Sequence, residues 1–354
     1  MIATAVKAQA SPYWWGLAAA GVAVAYPFTV LPVFLAAHMP SSAGQVLLFT
    51  LAAALVFAFP ACGVWLLVRT SGEATERALV RRGLGILLIL TPVLRVFSGI
   101  VSAVVHIPDK STLVWFSLWA AIAAVMLWRI AHPAPMFSAR VVSKIKFVHA
   151  VSAIAIGLFI LAHLATNLTI LKSPETYTWS ASLLRLAYRT PVAEPILIGL
   201  LILQVITGLA MGAEAFTRRG SAEYLIQLAC GVYSVVFLGS HTLAIAVLGR
   251  ELLNRGPDFT YASAGPGGLL SSPDGVFLAP YYCLSVMAFF THLSRPLRLW
   301  VMRVASSGTA RRSSYALVGI GGVVAAALLI GLCTPMITTH GPHRFPVAQR
   351  VSRR

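Results

Sequence analysis

The sequence predicts an all-α integral membrane protein. Of its 354 residues, 58% are hydrophobic and only 10% are charged. The apolar residues gather in runs close to the ~20 residues that a helix needs to cross the hydrocarbon core of a bilayer. A helix satisfies its backbone hydrogen bonds internally, as hydrocarbon requires. Nine spans are predicted, at residues 13–38, 44–68, 83–106, 112–130, 147–171, 192–215, 224–248, 276–300 and 315–336.

The spans divide into two groups. The first contains Pro27 and Pro32, which favour a kink, and no signal-peptide pattern precedes it, so we expect it to be retained. A polar segment with two prolines follows the fourth span. It divides a four-span region (1–135), which could be a degenerate repeat, from a five-span region (136–338) and a basic tail (339–354). The connection at 249–275 predicts an irregular loop that could cap a site.

The net charge of +17 does not indicate a nucleic-acid partner, because the basic residues are spread over loops and tails. They report topology instead, and the loops on the side of the N-terminus carry most of them. The positive-inside rule therefore places the N-terminus inside. One inner loop gathers five arginines that could meet anionic lipid or dock an acidic protein subunit: Arg295, Arg298, Arg303, Arg311 and Arg312.

Five polar residues lie inside apolar spans of the five-span region. They are His149 and His163 on one span, and Gln204, His241 and His292 on one span each. Polar groups in hydrocarbon are costly without partners and mark candidate functional sites. Arg95, in the third span, is a charge of the same kind and could bind a carboxylate, a haem propionate or a backbone carbonyl.

Helix geometry places these residues at two depths. His149 and His163 lie about 21 Å apart along one helix, on nearly the same face. His163 and His241 reach a matched outer depth, and His292 and Gln204 pair at the inner depth. Two histidines on different helices at one depth suit a six-coordinate b-type haem. The alternative is that each imidazole bonds a helix carbonyl or a neighbouring hydroxyl.

The five-span region resembles a known family. The segments are KFVHAVSAIAIGLFILAHLATN, EPILIGLLILQVITG, LIQLACGVYSVVFLGSH and LAPYYCLSVMAFFTHLSRPLRLW, followed by TARRSSY. In this order they resemble the five-helix cytochrome b anchor of succinate:quinone and quinol:fumarate oxidoreductases, over residues 146–314. The resemblance implies a cytochrome b-like bundle in a bacterial cytoplasmic or mitochondrial membrane, linked to quinone.

The resemblance also implies site residues. His163 and His241 stand at the axial ligand positions of an outer haem, and His292 at one position of an inner haem whose partner position holds Gln204. Because an amide is a poor haem ligand, one haem b is expected. His149 stands where such proteins carry a polar residue near a propionate or quinone. The succinate-oxidising chemistry would reside in flavoprotein and iron–sulfur subunits docked on the basic inner face.

A second resemblance involves KIKFVHAVSAIAIGLFILAHLATN and LRLAYRTPVAEPILIGLLILQVITGLAMG. These segments are similar to the transmembrane domain of a fungal mitochondrial family implicated in haem handling and lipid contact. That resemblance implies haem or lipid binding without turnover. The sequence lacks nucleotide-binding, HExxH and CxxCH motifs, and none of its four cysteines forms a CxxC pair. It therefore leaves open whether the protein is part of an enzyme.

Overall fold

The computed structural model describes residues 21, 23–37, 44–106, 111–254, 258–269 and 275–334. Within these ranges all regular secondary structure is helical, and eight helices are long and apolar enough to cross a membrane. The all-α, multi-pass prediction is confirmed. The eight helices coincide with the second to ninth predicted spans. Of the first predicted span, residues 13–20, 22 and 38 lie outside the described residues, and its second half forms a shorter helix.

We number the helices in chain order. They are α1 (Tyr26–Ala37), α2 (Gly44–Arg69), α3 (Glu76–Val104), α4 (Ser111–Ala131), α5 (Ala139–Leu168), α6 (Pro174–Tyr188), α7 (Ala193–Phe216), α8 (Ala222–Thr242), α9 (Phe259–Ala262), α10 (Gly275–Val301) and α11 (Ser307–Cys333). A 3-10 turn (Thr169–Leu171) follows α5, and a π-helical stretch (Leu243–Leu252) continues α8. We call the end of the bundle at which α5 begins the inner end, and the opposite end the outer end.

Helices α3 and α5, like α11, begin several residues earlier than the apolar runs predicted. Helix α3 starts after Thr75, whose side chain accepts a hydrogen bond from the backbone N–H of Ala78. Helix α5 starts after Ser138, which caps Val141 in the same way. An N-cap hydroxyl satisfies backbone donors that the helix itself leaves free. Both helices therefore extend several residues beyond the hydrophobic segment on the inner side.

The two groups of spans share one core. The largest cluster of buried apolar residues includes Tyr26 and Trp115 from the N-terminal region together with Tyr233 and Tyr281 from α8 and α10. Helix α3 is central, packing against α2, α4, α8 and α10. The division near residue 135 therefore falls between groups of helices that are packed on one another.

Helices α2 and α3 approach closely through two glycines. A Cβ atom on Gly63 would lie 2.5 Å from the Gly85 carbonyl oxygen, and one on Gly85 would lie 2.9 Å from that of Gly63. Small residues at such crossings let membrane helices gain dispersion contacts between their backbones. This pair sets the close approach of α2 to α3.

Helix α6 is a short helix outside the candidate spans. Ser173 caps it and Pro174 occupies its first turn, where a missing N–H costs nothing. Trp179 and Leu186 are exposed, whereas Tyr177 is buried, which raises the pKa of its phenol to about 12. An amphipathic helix of this kind suits the membrane interface at the outer end.

Candidate functional site

A cavity of about 1400 Å³ runs through the five-span region and is lined by residues of α5, α7, α8 and α10. Its size exceeds the ~300–1,000 Å³ of ordinary small-molecule sites. Helix α7 is sparsely packed: only 6% of its apolar segment is buried, compared with 67% of that of α3. The five polar residues singled out in the sequence all line this cavity.

The outer pair consists of His163 on α5 and His241 on α8. Their ring centroids are 6.0 Å apart, with the planes inclined by 66°. Phe159 stacks on His163 and Phe237 stacks on His241. Each outer imidazole is therefore held on one face by an aromatic ring of its own helix, one turn earlier.

The helix that carries His241 changes its hydrogen-bonding pattern directly after this residue. From Leu243 to Leu252 the chain is π-helical. Such stretches are uncommon and are often found at functional sites. His241 thus lies on the last α-helical turn, and the wider turns that follow line the outer end of the cavity.

The inner pair consists of His149 on α5 and His292 on α10, with ring centroids 6.4 Å apart and planes inclined by 79°. The sequence interpretation pairs His292 with Gln204 at this depth. In the structure the imidazole beside His292 is that of His149, and this is where sequence reasoning and structure differ most. From spacing alone, His149 is predicted to lie near the inner surface. In the structure it lies at the same depth as His292, and both side chains line the cavity.

Neighbouring groups orient the inner imidazoles. The Thr207 hydroxyl donates to the Leu203 carbonyl, so its oxygen accepts a 2.9 Å hydrogen bond from Nδ1 of His149. Nδ1 of His292 donates to the Gln227 carbonyl oxygen at 3.2 Å. Both contacts place the ring hydrogen on Nδ1 and leave the Nε2 lone pair available. Histidines that bind metals are commonly oriented by such a bond on their other nitrogen.

Gln204 performs a different task from the one expected. Its amide nitrogen donates to the backbone carbonyl of His149 at 2.7 Å and to the Ser152 hydroxyl at 2.9 Å. Only 8% of its surface is exposed. Gln204 therefore ties α7 to α5 at the level of His149. The amide is a fixed support for the inner pair.

Basic side chains lie at both ends of the cavity. Arg189 and Arg250 line its outer end, and Lys146, Arg218 and Arg295 line its inner end. Arg250 bonds Glu194 and Arg218 bonds Glu214. The Arg189 Nε atom is buried and has no hydrogen-bond partner within the described part of the chain. Arg189 is therefore suited to receive an acidic group of a ligand.

Arg95 lies elsewhere. Its guanidinium sits over the ring of Phe277, 4.7 Å from the centroid, and among the described residues it does not line the large cavity. A cation over an aromatic face is stabilised by the ring quadrupole. This placement puts the Arg95 guanidinium between α3 and α10, and its binding of a propionate stays a prediction.

The residues present fit a haem. Two imidazoles that bind one metal ion from opposite sides, with metal–nitrogen bonds of about 2.0 Å, hold their ring centroids roughly 6.3 Å apart. The outer and inner pairs stand at 6.0 and 6.4 Å. A site for a bare metal ion needs three or more metal-binding side chains, and the described residues include no such cluster. Two protein ligands are sufficient where a macrocycle supplies the others.

Sequence reasoning overlooks the supporting residues. Thr207 follows Gln204 by one helical turn, a spacing that could have indicated a shared face. Gln227 acts through its backbone carbonyl, which no side-chain pattern reveals. Arg189 counts in the sequence only as a topological charge, because its position at the mouth of the cavity depends on how α6 folds back.

Comparison of the chain with protein-family models, with curated proteins and with solved structures finds no match. The two family resemblances remain predictions that depend on the quoted segments alone.

Proposed function

We propose that this protein is a membrane-embedded, cytochrome b-like electron-transfer protein that holds haem b between His163 and His241. In this proposal electrons pass between a quinone in the membrane and a peripheral partner at the inner end. The observation that carries it is the outer pair: two imidazoles from different helices, 6.0 Å apart at their centroids, facing one large cavity.

The surroundings of the outer pair support this proposal. Phe159 and Phe237 stack on the imidazoles and would keep water from the ring faces. Arg189, at the outer end of the cavity, would hold a carboxylate of the cofactor by a charge-assisted hydrogen bond. When bound, haem supplies one-electron redox chemistry that the side chains of this protein lack.

The first test is spectroscopic. The protein purified in mild detergent should show a reduced-minus-oxidised spectrum of a low-spin b-type haem. Replacing either ligand, as in His163→Ala or His241→Ala, should remove the component that belongs to the outer pair, because a single imidazole no longer gives six-coordinate iron. Addition of a reduced quinone should reduce the haem of the unmodified protein.

A matched control is available in His132→Ala. This imidazole is exposed beyond the end of α4 and contacts Trp128, so its removal should leave the spectrum unchanged. A well-folded protein without any haem spectrum, or full retention of the spectrum in both outer-pair variants, would refute the proposal.

A second candidate is haem or lipid handling without turnover. The volume of the cavity favours it, because about 1400 Å³ could also receive a large apolar ligand. The same preparation discriminates: a handling protein would exchange its haem readily or bring lipid with it, and reduced quinone would not change its spectrum.

A further inference from the structure

We infer that His149 and His292 form a second bis-histidine haem site, so that a single helix, α5, carries one ligand of each of two haems. This inference rests on the proposed function and goes beyond it. The motif resemblance leaves the inner position incomplete at Gln204, whereas the structure supplies the missing imidazole from another helix.

The geometry of the inner pair carries the inference. The centroids of the two rings are 6.4 Å apart, close to the roughly 6.3 Å expected for two imidazoles that bind one metal from opposite sides. Hydrogen bonds from Nδ1 to Thr207 and to the Gln227 carbonyl leave Nε2 of each ring as the available ligand atom. The inner pair is thus oriented by hydrogen bonds, and the outer pair by aromatic stacking.

The space around the inner rings is preserved by glycines. A Cβ atom on Gly231 would lie 3.0 Å from Cε1 of His292, and one on Gly208 would lie 3.6 Å from Cε1 of His149. A Cβ atom at position 231 would require the imidazole of His292 to shift by a few tenths of an ångström. The two glycines lie on the cavity wall and allow α8 and α7 to approach the rings.

The charge distribution agrees with two cofactors. Haem carries two carboxylates, and the cavity has basic residues at each end: Arg189 and Arg250 at the outer end, and Lys146, Arg218 and Arg295 at the inner end. One haem at each depth would direct its carboxylates to the nearer membrane surface. At the inner end Arg218 already pairs with the Glu214 carboxylate, so Lys146 and Arg295 are the residues that would receive the carboxylates of an inner haem.

A bare metal ion is a poorer occupant of the inner pair. With only two imidazoles and no third metal-binding side chain clustered with them in the described ranges, such an ion would need two or more further ligands. The two histidine levels are 14 residues apart on α5, which is about 21 Å along a helix axis. Two haems at these levels would form a path for electrons across much of the bilayer.

The experiment measures the molar ratio of haem to protein in the detergent-purified full chain, together with a redox titration. The unmodified protein should contain two haems per chain. His149→Ala and His292→Ala should each halve the ratio while the component sensitive to His163→Ala remains. The double variant His149→Ala/His163→Ala should contain none.

A gentler variant tests the orientation of His149 without removing a ligand. Thr207→Val takes away the acceptor of the Nδ1–H bond and should lower the basicity of the imidazole. We expect the midpoint potential of one haem to rise while the ratio stays at two and the other haem is unaffected. A purely structural role for Thr207 would change stability and leave both potentials in place.

The possible failures are distinguishable. A ratio of one that depends on His163 and His241 but not on His149 or His292, with the potential insensitive to Thr207→Val, overturns this inference and leaves the proposed function standing. Quinone bound at the inner level with a ratio of one also overturns it. A folded protein with no haem overturns both.

Discussion

At the scale of single residues, the buried amide of Gln204 decides how the inner end of the site is held. The sequence presents this residue as a defective ligand, whereas its amide joins α7 to α5 through the His149 carbonyl and the Ser152 hydroxyl. A buried amide whose donors are satisfied in this way fixes the relative position of two helices. The position of His149 therefore depends on Gln204.

We expect Gln204→Leu to lower the stability of the protein by about 1 kcal/mol, because hydrogen bonds between membrane helices average about 0.6 kcal/mol each. The matched control is Asn167→Leu, which removes an amide that bonds the His163 carbonyl within the same helix. The measurement is the temperature at which half of the folded protein is lost in detergent. An equal loss in both variants would argue against a tie between helices.

The outer pair could be predicted from the sequence, because both histidines lie in regular helices whose depth follows from 1.5 Å per residue. The inner pair could not. Depth alone does not determine which of several residues on neighbouring helices face each other, since that depends on rotation and crossing of the helices. Thr207 and Gln227 support the pair through groups that become partners only after packing.

At the scale of elements, the ends of the helices differ from prediction for a related reason. Hydropathy detects the part of a helix that lies in hydrocarbon, whereas Thr75 and Ser138 start α3 and α5 in the polar region. The existence and order of the spans were predictable because each must satisfy its backbone alone. Close contacts such as that of Gly63 with Gly85 could not be predicted, because they depend on which helices pack together and how each is rotated.

Gly63→Ala should destabilise the protein by about 1–3 kcal/mol, the usual cost of overpacking. The added methyl group would lie 2.5 Å from a backbone oxygen of α3, and a backbone cannot move aside as a flexible side chain can. Gly199→Ala is the control, because a methyl group added there would meet no atom of the described chain within 4 Å apart from the nearby backbone of its own helix.

Thermal loss of folded protein in detergent measures both glycine variants. If Gly63→Ala is as stable as Gly199→Ala, that result would contradict the close approach of α2 and α3 described above.

At the scale of the whole molecule, the basic inner face is partly occupied by contacts within the chain. Arg298 forms an ion pair with Glu223, and Arg295 lies over the ring of Tyr224. Arg303, Arg311 and Arg312 are exposed. These three exposed arginines are the part of the inner loop that can meet anionic lipid or a protein partner.

If a peripheral flavoprotein or iron–sulfur protein docks there, the double variant Arg311→Glu/Arg312→Glu should no longer bind it. The two glutamates would repel the acidic surface of the partner. The control is Arg77→Glu/Arg81→Glu, which reverses two exposed arginines at the inner end of α3. Co-purification from mild detergent at low salt measures the effect. Recovery of the unmodified protein alone, with its haem intact, would favour the lipid interpretation of this face.

Arg82 gives the molecule an order of assembly. Its guanidinium is fully buried and donates to the carbonyl oxygens of Glu73, Phe216 and Arg218. The last two residues are synthesised more than 130 positions after Arg82. A nascent chain must therefore keep this cation solvated near the inner surface until α7 has been inserted and turned back. The contact between the N-terminal helices and the end of α7 can therefore form only late in the assembly of the chain.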